Sequence, residues 1–114
     1  MTDRELLELA AKAAGIALEK TGPWFTYSDA RGFERMNMDG SAVTWRWNPL
    51  TDDGDALRLA VKLELNVFPV DLPGMSCCTN DSDISEGAMH NGDPYAATRR
   101  AIVRAAAEIA KGTT

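Results

Sequence analysis

Apolar positions recur with a helical period at both ends of this chain and with mixed periods between. Near the start, Leu6, Leu9, Ala10, Ala13, Ile16 and Ala17 fall three or four residues apart, which predicts an amphipathic helix. Thr2-Asp3-Arg4-Glu5 reads as a capping box ahead of it, with Met1 and Leu6 placed as a hydrophobic staple. The spacing predicts a helix from about Thr2 to Glu19, stopped by Thr21-Gly22-Pro23. Gly15 falls inside that span, either as a close helix contact or as a plain loss of stability. At the far end, Ala97, Thr98, Ala101, Ile102, Ala105 and Ile109 line one side of another helix. Arg100, Arg104, Glu108 and Lys111 line the other, with Arg104 and Glu108 spaced as an i,i+4 ion pair. Asp93 is the expected N-cap, Pro94 the first helical residue and Gly112 the stop.

The middle is harder to parse. Trp24-Phe25-Thr26-Tyr27 favours extended backbone, and Ser28-Asp29-Ala30-Arg31-Gly32 reads as loop. Phe33 to Met38, Asp39-Gly40 and Ala42 to Trp47 have the grammar of a hairpin, since Asp-Gly suits a type I′ turn. Val43, Trp45 and Trp47 alternate with Thr44 and Arg46, so Trp45 and Trp47 are expected to share a side and face the core. The stretch from Trp45 to Leu65 carries two readings. Leu57, Leu59, Val61, Leu63 and Leu65 alternate as a strand would, with Asp53-Gly54 as a turn. Yet Ala56, Leu57, Ala60, Val61 and Leu63 also share a broad helical face. Pro49 and Thr51-Asp52-Asp53 supply a cap and first-turn acids, and β-branched residues are nearly absent. Beyond it, Asn66 to Val70 reads as a short strand, at a sheet edge because of Pro69. Asp71-Leu72-Pro73-Gly74 is a turn, Met75 to Thr79 a returning strand, and Asn80 to Asn91 a polar loop.

Two phrases here resemble ones that recur in small phage and prophage proteins of unknown function. One is Asn48 to Leu63, NPLTDDGDALRLAVKL; the other is Asp93 to Ile109, DPYAATRRAIVRAAAEI. Those domains are described as αβα sandwiches. The resemblance covers about half the chain and implies that the first phrase begins a central helix and the second is the closing helix. It implies no catalytic residues. With it, the expected fold class is α+β: a single domain with three helices packed on a small, mainly antiparallel sheet, αβα-sandwich-like.

Bulk properties narrow the function classes. A chain of 114 residues fits one domain with a genuine core. Net charge is −5 and the sequence pI about 4.7, which disfavours nucleic acid and anionic lipid as partners except through a local basic patch. No run approaches the roughly 20 apolar residues of a membrane span. Asp3, Arg4, Glu5 and Glu8 break any export-signal pattern. Cys77 and Cys78 are adjacent and make no disulfide framework, so a reducing cytoplasm is the expected setting.

Four groups are candidates for chemistry. Asp52, Asp53 and Asp55, with Asp81, Asp83 and Glu86, offer carboxylates of the kind hard cations take, but neither cluster has the EF-hand pattern. Helix capping and a solvated loop account for them more simply. Cys77, Cys78 and His90 are the soft ligands, too few and wrongly spaced for structural zinc. As a thiol–imidazole pair they lack a visible orienting group. Arg99, Arg100 and Arg104 give the last helix a basic side, which is the candidate partner-binding surface. With what the resemblance implies, the expectation is a cytoplasmic accessory protein of phage or prophage origin, without enzymatic activity, metal or cofactor, acting by binding another protein. The alternatives are a nucleic-acid-associated protein using the last helix and a metal- or thiol-dependent enzyme at the Cys77–His90 loop.

Overall fold

The computed structural model describes residues 2–16, 19–21, 24–28, 44–80 and 84–112. Their order is α1 (Asp3–Ala14), β1 (Glu19–Thr21), β2 (Trp24–Ser28), β3 (Thr44–Arg46), α2 (Asp53–Lys62), β4 (Asn66–Leu72), β5 (Met75–Thr79), β6 (Ser85–Met89) and α3 (Pro94–Gly112). The fold is α+β, as the pattern predicts. Among the described residues, no helix is long and apolar enough to cross a membrane.

The first helix starts where the capping box places it, with Thr2 Oγ1 accepting from the Glu5 N–H at 3.2 Å. It ends sooner than its periodicity suggests. Gly15 takes φ 71°, and the N–H groups of Gly15 and Ile16 close onto Lys12 O and Ala11 O. This is a Schellman ending, which favours glycine because the left-handed turn crowds a Cβ. The expected end near Glu19 is thus corrected: Gly15 is the stop, and Glu19 begins β1.

The helical reading of the central stretch holds for Asp53–Lys62. Its last turn repeats the ending of α1. The N–H groups of Glu64 and Leu65 close onto Val61 O and Ala60 O, but here a glutamate takes the left-handed conformation, at φ 54°. Trp47, only 4 % exposed, and Leu50 lead into the helix and belong to the core with Leu59, Ala56 and Ala60. The side chains of Trp24 and Trp45 lie outside the described residues, and so does residues 29–43, where the Asp39-Gly40 hairpin is expected. Of that hairpin only β3 is described, and it pairs with β2 in a three-stranded antiparallel sheet, β1-β2-β3.

The closing helix organises the rest. Asp93 Oδ1 accepts from the Ala96 N–H at 3.0 Å and Pro94 opens the first turn. Eight residues are buried: Ala97, Ala101, Ile102, Val103, Ala105, Ala106, Ala107 and Ala110. At 3.6 residues per turn they cover roughly three-quarters of the circumference. A helix enclosed that far needs short side chains, and six of the eight are alanine. α1 and α2 pack against α3, and so do β4, β5 and β6. Among the described residues α3 is the only helix with substantial contact to that sheet, so α1 and α2 reach it through α3.

The second sheet runs β4-β5-β6, antiparallel throughout, with Pro69 on an edge strand as expected. β4 continues through Leu72, so the turn is only Pro73-Gly74, with Gly74 at φ 79° between the paired Leu72 and Met75. Proline followed by a left-handed glycine is the type II pattern. The expected polar loop from Asn80 to Asn91 is corrected in part, because Ser85–Met89 is the strand β6. Ser-Glu-Gly-Ala-Met has little strand propensity of its own. Its backbone pairs with all of β5, from Met75↔Met89 to Thr79↔Ser85.

Candidate functional site

Among the described residues, polar side chains gather in three places that bear on function. At the start of α2 the acidic cluster is spent on structure. Asp52 caps the helix through Asp55 N, at 2.8 Å. Asp55, 5 % exposed, accepts from Asn48 N at 3.0 Å and pairs with Arg58 at 2.7 Å. Asp53 pairs with Arg99 Nη1 at 2.6 Å, while Arg99 Nε donates to Leu50 O at 2.8 Å. Each carboxylate therefore sits where a first-turn dipole or a guanidinium stabilises it. Asp81 and Asp83 lie outside the described residues. Among those described, no group of three or more His, Cys, Asp or Glu is arranged to hold a metal ion.

The second place is a closed joint between sheet and helix. Alternation along β5 turns Ser76 and Cys78 inward, both fully buried, and leaves Met75, Cys77 and Thr79 partly exposed. Ser76 Oγ lies 2.9 Å from Pro69 O, 3.0 Å from His90 Nε2 and 2.9 Å from Thr98 Oγ1. His90 Nε2 is also 3.0 Å from Pro69 O. A carbonyl only accepts, so Nε2 carries a hydrogen. Thr98 donates its own hydrogen to Pro94 O at 2.8 Å, which leaves its oxygen to accept from Ser76. Ser76 has one hydrogen, which is shared between Pro69 O and Thr98 Oγ1. The hydrogen on Nε2 directed at Pro69 O leaves no lone pair there for the Ser76 proton.

Neither thiol is arranged for reaction with His90. Burial, with the neighbouring Cys77, pushes the Cys78 thiol up to about 12, so it stays protonated near neutrality. Cys77 lies on the opposite face of β5 from Ser76 and His90, with its Sγ 3.6 Å from Ser85 Oγ.

The third place is open. Ala88 and Met89 of β6, the turn at His90, Asn91 and Asp93, and Ala96, Ala97, Arg100 and Arg104 of α3 line a groove of about 460 Å³. Asn91 and Gly92, at φ 48° and 87°, bend the chain from strand to helix beside it. Met89 lies 66 % exposed beside it. Arg104 Nη1 donates to Gly87 O at 2.8 Å, which holds the guanidinium against β6. Arg100 takes the carboxylate of Asp3 in a fork, Nη1 to Oδ1 at 3.0 Å and Nη2 to Oδ2 at 3.3 Å.

The structure thus divides the three arginines expected to bind a partner. Arg100 and Arg104, one turn apart, both line the groove, whereas Arg99 points toward α2 and is largely buried in its pair with Asp53. The expected Arg104–Glu108 pair gives way to Glu108–Lys111, at 2.9 Å, because Arg104 turns to the strand instead. Sequence reasoning did not find Ser76 and Thr98. A lone serine in a short strand and a lone threonine in a helix carry no signal until the fold sets them 2.9 Å apart. No family, no curated protein and no solved structure matches the chain.

Proposed function

We propose that this protein is a non-enzymatic protein-binding module and that its partner docks in the groove between β6 and α3. The observation that carries this is the groove itself: two partly exposed guanidiniums and an exposed methionine beside a floor of largely buried alanines. Arginine and methionine are both enriched at protein interfaces. The Asn48–Leu63 and Asp93–Ile109 phrases support reading it as a phage or prophage accessory protein, at work in the cytoplasm of a bacterial host. Plugging the groove tests this. Ala96→Trp lies on the partly exposed side of α3 and fills the opening. Wild type is expected to retain a specific protein from host extract that a correctly folded Ala96→Trp does not. Equal retention by both would count against the groove.

A second reading uses the same arginines to hold nucleic acid. Glu108 on the neighbouring turn and the net charge of −5 weigh against it. Its signature is salt-dependent retention on DNA or RNA that disappears with Arg100→Ala and Arg104→Ala together. Chemistry at the Cys77–His90 loop has the least support, given the buried, protonated Cys78 thiol and the hydrogen on His90 Nε2.

A further inference from the structure

We infer that the groove recognises a carboxylate, presented by an acidic peptide segment, with Arg104 as first contact and Arg100 as a second contact that Asp3 occupies in the free protein. This rests on the groove being the partner site. Arg104 commits one N–H to Gly87 O. A guanidinium has five donors in a fixed plane, so that bond orients the fork and leaves further donors for a ligand. Arg100 already shows the chemistry, because it grips a carboxylate through two nitrogens. That carboxylate is exchangeable: the Asp3 side chain is 62 % exposed and sits at the start of α1, outside the groove lining.

The surroundings select the ligand class. A volume of about 460 Å³ suits a few residues of peptide. Ala88, Ala96 and Ala97 offer a flat apolar floor for backbone and methylene groups, with Met89 as an adaptable wall. Asp93 also lines the groove, but its carboxylate is engaged in capping α3. A polyanion such as a nucleic acid would bring many charges against a protein of net charge −5, whereas a single carboxylate meets two guanidiniums and little else.

The test uses the full chain and a capped hexapeptide of alternating glutamate and leucine, beside its glutamine counterpart, inorganic phosphate and a short DNA duplex. Amide and arginine side-chain resonances and titration calorimetry give the readout. The glutamate peptide is expected to move the signals of His90, Ala96 and Arg104, and the glutamine peptide to bind about tenfold more weakly. Arg104→Gln and Arg100→Gln are each expected to weaken the glutamate peptide, Arg104→Gln by about tenfold. Asp3→Asn is expected to tighten it about threefold by releasing Arg100, which a merely structural Asp3 would not do. Equal binding of the two peptides would sink the carboxylate assignment while leaving the groove a peptide site. No movement of groove signals with either peptide would sink both. Tighter binding of phosphate or duplex than of the glutamate peptide would replace the carboxylate by a phosphate ligand and overturn the proposal.

Discussion

Two neighbouring regions share His90 and treat their polar groups in opposite ways. In the joint, Ser76, Thr98, Pro69 O and His90 Nε2 form a closed network, and no buried side-chain donor or acceptor among the described residues lacks a partner. In the groove, Arg100 and Arg104 make bonds that orient them and still present donors to solvent. The difference teaches where binding can reside. A buried hydroxyl left unmatched costs free energy, so every atom of the joint is spent on holding β4, β5 and α3 together. A half-exposed guanidinium bears no such penalty, and its remaining hydrogens are available to a ligand.

The largest expected effect comes from opening the joint. Ser76→Val removes the hydroxyl that links three elements, takes the donor from the Thr98 oxygen and leaves Pro69 O with His90 alone, at a cost of about 3 kcal/mol. Urea unfolding monitored by tryptophan fluorescence would measure it. The contrast needs Arg104→Gln in the same assay to lose less than about 1 kcal/mol, since its side chain remains in contact with water. If the two variants are equally destabilised, the distinction between a structural joint and an available groove collapses.

The cluster at α2 is a second closed network and offers an independent check. Asp55→Ala would leave the Asn48 N–H unmatched and Arg58 without its nearest acid, for a loss of about 2 kcal/mol. Calcium or magnesium should not raise the melting temperature of the wild-type protein if those carboxylates are spent as their bonds indicate. A metal-dependent rise that Asp55→Ala removes would reassign the cluster.

Thr98→Val sharpens the joint from the helix side. Thr98 is only partly buried, and its oxygen has one donor from Ser76 and one acceptor at Pro94 O. Valine keeps the shape, so the expected loss is about 1 kcal/mol, smaller than that of Ser76→Val. A double-mutant cycle between positions 76 and 98 should show coupling, because the two oxygens share one hydrogen bond.

Much of the frame was legible in the sequence, because caps and periodicity are local. Thr2, Asp52 and Asp93 act as the caps their residue types suggest. Misreadings arose where a distant contact decides. Gly15 was ambiguous inside a periodic stretch, and only its left-handed backbone shows it to be a stop. β6 has no strand signature, because it exists by pairing with β5. The candidate site was half visible. The three arginines were readable as a basic side, but helix geometry alone assigns Arg100 and Arg104 to one face and not what they meet. The hydroxyls of Ser76 and Thr98 were invisible, since nothing in a sequence relates residues 22 positions apart.

The smallest effect concerns the rim of the groove. The hydrogen bond from Arg100 holds the Asp3 carboxyl below its ordinary value of 3.8. A lowered folded-state pKa means that the pair's contribution is present in full above the ordinary value. It is lost as pH falls toward the folded value and is absent beneath that. Because Asp3 is exposed, the contribution is at most about 0.5 kcal/mol. Chemical denaturation in steps from pH 5 downward should therefore show wild type and Asp3→Asn converging in acid, with salt reducing the gap at higher pH. The same ion pair is the one a ligand carboxylate would displace, so a small gap is what exchange requires. A gap of several kcal/mol would mean that Asp3 locks Arg100 in place and leaves Arg104 to bind alone.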